Sequence, residues 1–108
     1  MARYILTVIA NAVEGREDEA NDWYDNIHLE EVLTVPGFIT AQRFEPMDVP
    51  EGEKVRYLAH YEIEADDHMA PMGALNEAVQ TRLNMSDAFD GATATVTVYR
   101  ARTEKLGS

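Results

Sequence analysis

The sequence predicts one α+β domain in which two helices alternate with four strands in the order β-α-β-β-α-β. Three observations predict it. Four segments are rich in β-branched and aromatic residues, two segments space their apolar residues as one helix face does, and glycine or proline interrupts the chain between several of them. The predicted strands cover residues 3–13, 38–46, 54–63 and 92–101, and the predicted helices cover residues 16–34 and 66–84.

The first strand is apolar on both faces, as a central strand should be, and Gly15 ends it. The first helix follows because its large residues recur at the i, i+3, i+4 spacing of one face. Acidic residues 17–19 lie in its first turn, where the helix dipole favours anions, and Pro36 and Gly37 close the segment. The predicted face of this helix consists of Ala20, Trp23, Tyr24, Ile27, His28 and Glu31.

The second half repeats the pattern. Residues 54–63 alternate cleanly, so Tyr57 and Tyr61 share one face of the third strand and His60 lies on the other. Asp66 or Asp67 caps the second helix. Its apolar stripe is Met72, Leu75, Val79 and Leu83. The fourth strand begins after Gly91 and is rich in threonine and valine.

Composition limits the possible functions. The 108 residues fit one domain, which we expect to span residues 1–102 and to leave 103–108 as a loose tail. The formal charge of −11 opposes binding to nucleic acid and to anionic membranes. The chain has no cysteine, which excludes disulfides, thiolate metal sites and a cysteine nucleophile. With no signal sequence and no apolar run of about 20 residues, we expect a cytoplasmic protein.

The predicted sheet has a second face that needs cover. Two helices can cover only one face of a four-stranded sheet, yet the first, third and fourth strands carry apolar residues on both. A second copy of the same sheet is the simplest cover. The sequence therefore predicts a homodimer.

One dense cluster, residues 21–28, could carry chemistry. Tyr24 and His28 are four residues apart on a helix, so their side chains are neighbours, and Trp23 flanks them. An imidazole beside a phenol and an indole, packed against an apolar sheet, could act as a desolvated acid or base. The alternative is that Trp23 and Tyr24 belong to the core and His28 is a structural histidine.

Residues 21–44 contain a longer motif. It runs from Asn21 through Trp23, Tyr24, His28 and Leu29 to Val32-Leu33-x-Val35-Pro36-Gly37-Phe38 and continues through Ala41-x-Arg43-Phe44. This motif resembles the EthD-like group of dimeric α/β-barrel proteins. The resemblance implies ferredoxin-like subunits, each with a four-stranded antiparallel sheet, that pair sheet to sheet into a barrel. It also implies that His28 faces the pocket between helix and sheet and is the candidate acid or base.

Further candidates for the site lie on the strands. Arg43, on the strand parity of Ile39 and Ala41, could hold a carboxylate or an enolate oxygen, or could be a surface arginine paired with an acid. Either His60 or the pair Tyr57 and Tyr61 would line the barrel interior. Asn11 could bind a substrate oxygen or cap the end of its strand.

These observations lead to four hypotheses. The first is a cofactor-free lyase, cyclase or isomerase that acts by proton transfer on a hydrophobic aromatic or polyketide-like compound. Its catalytic residues would be His28, Tyr24 and Arg43. Its substrate-binding residues would be Trp23, His60, Tyr61 and Asn11. The second is a cofactor-independent, quinone-forming monooxygenase, and the third a non-catalytic module that binds a small ligand. The fourth is haem binding, for which nothing in the sequence marks an axial ligand. The three histidines have no metal-ligand spacing, so no metal is expected.

Overall fold

Four antiparallel strands form one sheet in a computed structural model of the chain, which describes residues 1–107. The order across the sheet is β2-β3-β1-β4. The predicted ferredoxin-like α+β fold is confirmed. Ser108, the last residue of the predicted tail, lies outside the described residues. The strands are β1 (Ala2–Ala10), β2 (Phe38–Phe44), β3 (Tyr57–Ala65) and β4 (Thr95–Arg100), and the helices are α1 (residues 17–32) and α2 (Met69–Thr81).

Several elements are shorter than predicted. β1 ends at Ala10, before the predicted 13, because the chain then leaves the sheet and Val13 N–H donates to the carbonyl of Ala88 at 2.7 Å. β4 begins at Thr95 because residues 91–93 form a 3₁₀ turn. The N-cap position of α2 is His68, whose side chain makes no capping bond, but the carboxylate of the predicted Asp67 accepts the N–H of Met69 at 2.8 Å.

Both helices pack on the same face of the sheet. The side chains most completely buried between the helices and the sheet are Tyr61, Leu6, Ile63, Val32 and Val35. Burying one such side chain contributes about 1.5–3 kcal/mol. Within residues 1–107, no helix has the length and apolar character that crossing a membrane requires.

A β-bulge changes which residues of β2 face the helices. Phe38 pairs with Ile63 and Ala41 pairs with Tyr61, and the register shifts between Phe38 and Thr40. Phe38 and Arg43 therefore lie on the same, helix-covered face. Strict alternation places them on opposite faces, because it cannot anticipate the extra residue in the strand.

The opposite face of the sheet carries no helix in the described part of the chain. It presents side chains from all four strands, and Phe44 and Tyr99 are 44% and 53% exposed there. The tail reaches it through Lys105, whose Nζ lies 3.8 Å from the Glu62 carboxylate. The apolar members of this open face are Ile5, Ile9, Phe44, Leu58 and Tyr99.

Gly37 allows the chain to turn from α1 into β2 beneath α2. Its φ is +97°, a conformation that side chains rarely adopt, and a Cβ there would lie 3.1 Å from the Cβ of Pro71. Its carbonyl accepts the N–H of Glu64 at 2.9 Å, which ties the turn to the sheet. Both conformation and space therefore require glycine.

The first prediction compares two glycines with similar backbone angles. Gly52 has a φ of +86°, but no atom lies within 4 Å of the position that a Cβ would take there, so Gly52→Ala isolates the cost of the backbone angle. We expect Gly37→Ala to lower the free energy of unfolding by about 1–3 kcal/mol more than Gly52→Ala does, because it adds a steric clash. Urea unfolding measures both. Equal losses would show that Pro71 does not constrain the turn.

Candidate functional site

The centre of α1 is a π-helical segment. An α-helical segment, Glu17–Trp23, leads into the π-helical residues Tyr24–His28, and α-helix resumes over Leu29–Val32. Leu29 N–H donates to the carbonyl of Tyr24, five residues back. Such π segments are frequent at functional sites.

The π segment stacks two side chains that an α-helix would separate. The rings of Trp23 and His28 lie 4.6 Å apart between centroids at an interplanar angle of 25°. Residues five apart on an α-helix point about 140° away from each other. The widened turn thus brings indole and imidazole into contact. Tyr24 completes the arrangement, because its ring meets His28 edge-on at 4.8 Å.

His28 is buried, with 8% of its surface exposed, and its Nδ1 has no hydrogen-bond partner. Burial lowers the pKa of His28 from 6.5 to about 4, and the nearby charge of Glu31 opposes the shift only partly. The imidazole is therefore neutral at pH 7. A neutral imidazole has one ring nitrogen that can accept a proton.

Two buried tyrosines join α1 to β3. The hydroxyl oxygens of Tyr24 and Tyr61 lie 3.1 Å apart. Burial raises the pKa of both phenols, and the guanidinium of Arg43 opposes that rise in each. Both phenols are protonated at neutral pH. One hydroxyl donates to the other, which leaves the second proton free for another acceptor.

Arg43 lies between two aromatic rings. Its Cζ is 4.5 Å from the centroid of Tyr24 and 4.8 Å from that of Tyr57, which are cation–π distances. Its Nη1 donates to Asn21 Oδ1 at 3.0 Å and to Asp25 Oδ1 at 2.8 Å. Its Nε is buried and has no partner. Arg43 and Ala41 share the helix-covered face, as their common parity on β2 predicts for this pair.

Two unpartnered atoms distinguish this cluster. Among residues 1–107, the buried side-chain nitrogen and oxygen atoms without a hydrogen bond are His28 Nδ1 and Arg43 Nε. Both side chains pack on Tyr24. Buried polar groups are nearly always satisfied, so two exceptions packed on one tyrosine single out this cluster as the candidate site.

A small cavity lies beside the cluster, between α1 and the sheet. The space open to the centre of a water molecule is about 10 Å³, which is room for about one water. Tyr24, Arg43 and Asn11 line it, whereas Trp23, His28, Tyr61 and His60 do not. An open groove of about 240 Å³ lies outside it. Asn21, Arg43 and Tyr57 line both spaces and separate them.

The structure brings five of the seven predicted residues together: Tyr24, His28, Arg43, Trp23 and Tyr61. Trp23 Nε1 also donates to the carbonyl of Asn84 at 2.6 Å, which fixes the indole. His60 lies on the open face, with its ring 6.3 Å from that of Phe44. Asn11 also lines the cavity, and its Oδ1 accepts from Arg56 Nη1 at 3.1 Å.

Three residues hold Arg43 without having been predicted to do so: Asn21, Asp25 and Tyr57. Asn21 Nδ2 also donates to the Tyr57 hydroxyl at 3.2 Å, so the three residues form one network around the guanidinium. A usable signal existed, because Asn21 and Asp25 are polar residues four apart on the helix that faces the strand of Arg43. Within the described residues, no group of three histidine or acidic side chains could hold a metal ion.

No family model and no curated protein matches the chain, but solved structures share its fold. An EthD family protein from Bacillus halodurans superposes with a TM-score of 0.57 at 16% identity, covering 98% of this chain and 100% of its own. A candidate antibiotic biosynthesis monooxygenase from Bacillus cereus gives 0.61 at 15% identity over 99% and 100% of the two chains. The haem degrader MhuD from Mycobacterium tuberculosis, solved with two haems in its active site, gives 0.63 at 18% over 95% and 99%.

The second prediction concerns the buried imidazole. Because the folded pKa of His28, about 4, lies below its usual 6.5, the unfolded chain binds more protons between these values. The contribution of His28 to stability is therefore complete above about pH 6.5 and decreases as the pH falls towards 4. From pH 6.5 to 4.5, the wild type should lose on the order of 2 kcal/mol more unfolding free energy than His28→Phe.

Chemical unfolding at a series of pH values measures the difference. His28→Phe keeps a planar ring in the stack and removes the titrating group, so it serves as the matched reference. Parallel pH profiles for the two proteins would show that His28 is not desolvated.

Proposed function

We propose that this chain, which has the fold of EthD family proteins in the dimeric α/β-barrel superfamily, is a small-molecule enzyme that moves a proton on its substrate. The substrate is a hydrophobic aromatic or polyketide-like oxygenated compound, and the reaction is that of a lyase, cyclase or isomerase without a cofactor. One observation carries the proposal: a neutral buried imidazole and a buried guanidinium, each with an unpartnered nitrogen, pack on the same tyrosine.

The proposed roles follow from the charge and protonation of each group. His28 is neutral and accepts a proton from the carbon next to a carbonyl. The negative charge that develops on the substrate raises the pKa of His28 as the proton arrives, because an opposite charge favours the imidazolium. Arg43 donates an N–H to the enolate oxygen. The hydroxyls of Tyr24 and Tyr61 supply a proton to the same oxygen or orient it.

Substrate entry requires side chains to move. The cavity of about 10 Å³ is too small for an organic ligand, and Tyr24 rather than His28 lines it. The walls behind Tyr24 are formed by small and apolar residues of β1, α1 and β3. Movement of Arg43 would join the cavity to the outer groove, since Arg43 separates the two.

A quinone-forming monooxygenase is the second candidate, and the likeness in fold to the Bacillus cereus protein favours it. The same proton removal would give a phenolate or an anthrone carbanion, which reacts with O2 to place one oxygen atom in the quinone product and release the other as water. The third candidate is a binding module, which would hold such a ligand unchanged. Oxygen consumption separates the second candidate from the first, and the absence of any product identifies the third.

Haem, which MhuD binds, does not fit the residues of this site. Haem needs a large apolar pocket and an axial ligand. The cavity between α1 and the sheet has about 10 Å³, and no histidine lines it. No step of the proposed reaction uses haem.

We further propose that two copies pair through their open faces. The apolar side chains of that face are partly exposed in the single chain, and Phe44 and Tyr99 are the most exposed of them. Exposed apolar patches of this kind mark interfaces. Pairing of identical faces around a two-fold axis would bury both at once and form the barrel.

The third prediction tests proton transfer. Aromatic ketones such as 2-tetralone exchange the hydrogens next to the carbonyl for solvent deuterium, and we expect the protein to accelerate this exchange. His28→Gln should reduce the protein-dependent rate by about 10²–10⁴-fold, the usual contribution of a general base. Proton NMR in deuterated buffer follows the exchange, and an oxygen electrode records any oxygen uptake.

His68→Gln is the matched control, because the side chain of His68 is 47% exposed and lies outside the cluster. It should exchange hydrogens at the wild-type rate. Equal rates for wild type and His28→Gln would remove His28 from the mechanism. Oxygen uptake would instead support the monooxygenase.

The fourth prediction tests the open face with two residues of β4. Tyr99 points to the open face and Val96 to the helix-covered face, and they are 53% and 55% exposed. We expect Tyr99→Glu to weaken the dimer at least tenfold, because it buries a charge, and Val96→Glu to leave it intact. Light scattering coupled to gel filtration measures the mass. A monomeric wild type would contradict the pairing.

A further inference from the structure

The contact between Asp25 and Arg43 connects the outer groove to the inner cavity. Asp25 lies on the π-helical segment of α1 and Arg43 on β2, and their 2.8 Å ion pair spans the gap between helix and sheet. Asn21, Arg43 and Tyr57 form the partition between groove and cavity. Asp25 lines only the groove. It therefore holds the partition closed from outside.

The two partners of this ion pair differ in exposure. The Arg43 side chain is 13% exposed, whereas that of Asp25 is 54% exposed. A buried guanidinium stays charged and requires an anion. An exposed carboxylate can turn into water at little cost, because ion pairs with an exposed partner contribute little to stability. Arg43 is thus always charged and is stabilised by a neighbouring anion. Asp25 provides that anion, and the carboxylate of a ligand could replace it.

The hydrogen bonds of Arg43 leave one edge of its guanidinium unused. Among residues 1–107, its side-chain hydrogen bonds all come from Nη1, to Asn21 and Asp25. Nε is buried without a partner. A carboxylate binds a guanidinium through two parallel N–H donors, and the edge formed by Nε and Nη2 offers such a pair.

The aromatic rings on either side select a flat ligand. Tyr24 and Tyr57 enclose the guanidinium at 4.5 and 4.8 Å, and Phe89 packs on Tyr24 at a ring distance of 5.7 Å. An aromatic ring that follows its carboxylate inward would enter the space between these rings that the guanidinium leaves when it moves. Small side chains behind them, including Ala10, Ala20 and Ala59, leave space for it once Arg43 moves.

We propose that Asp25 is a latch that occupies the place of a substrate carboxylate, and that the site takes flat aromatic carboxylates, which displace Asp25 from Arg43 and open the cavity. This inference rests on the proposed small-molecule site between α1 and the sheet. Its test measures binding alone, so it does not depend on turnover.

The experiment compares 2-naphthoate with its neutral analogue 2-naphthamide. The single tryptophan, Trp23, gives one indole N–H signal in NMR, and its ring lies 5.2 Å from that of Tyr24. Titration of this signal yields the dissociation constants. Asp25→Asn should bind 2-naphthoate about two- to fivefold more tightly than the wild type does, the range expected from removing such an ion pair. Its affinity for 2-naphthamide should rise less, because the neutral amide is not repelled by the Asp25 carboxylate in the wild type.

Asp22→Asn is the matched control. Asp22 is an exposed carboxylate on the same helix that accepts from Asn26 Nδ2 at 2.8 Å and does not contact Arg43. It removes the same charge and should bind both probes as the wild type does. Asp25→Ala, which also removes the hydrogen-bond acceptor, should show at least the gain of Asp25→Asn.

Three outcomes would overturn the latch: no gain in naphthoate affinity in Asp25→Asn, an equal gain for the amide, or no naphthoate binding in any variant. These outcomes are independent of the His28 exchange test. A tighter Asp25→Asn complex together with an unaffected His28→Gln exchange rate would establish a carboxylate site without proton transfer. The reverse pair of results would keep the enzyme and remove the latch.

Discussion

The site depends on the i→i+5 hydrogen bonding at Tyr24–His28. This turn stacks His28 on Trp23 and places the ring of Tyr24 against both. It also sets Asp25 opposite Arg43. A regular α-helix through the same residues would separate the indole from the imidazole by about 140°. The widened turn loses regular helical hydrogen bonds, and the packing of three aromatic side chains beneath it offsets that loss.

The second constraint is burial without full hydrogen bonding. The cluster keeps His28 neutral and Arg43 charged within one packed layer, with Tyr24 between them. A packed interior makes such groups sensitive to any charge that enters, because the local dielectric is low. The charge of an anionic ligand would therefore interact strongly with both His28 and Arg43. Because the cavity has room for about one water, side chains must move before an organic ligand can enter.

Much of the architecture could be predicted from the sequence, for physical reasons. Period-two alternation in residues 54–63 correctly separates Tyr61 from His60, and helical spacing correctly makes Tyr24 and His28 neighbours. The β-bulge at Phe38–Thr40 and the π segment could not be predicted, because each adds a residue to a regular repeat. The sequence did not single out Asp25 as a partner of Arg43. It is an exposed acid in a chain with 20 acidic residues, so its spacing from Asn21 marks it only weakly, and the fold shows that it faces the largely buried Arg43.

The proposed proton transfer requires that the cluster around Tyr24 hold His28 as a desolvated, neutral imidazole. The most direct measurement is the protonation state of the His28 ring nitrogens, followed by ¹⁵N NMR between pH 7.5 and 4 in the folded wild type. We expect the His28 signals to remain those of a neutral ring until the pH approaches 4. A His28 ring that becomes protonated near pH 6.5 would contradict it and would place the helix cluster among ordinary solvated side chains.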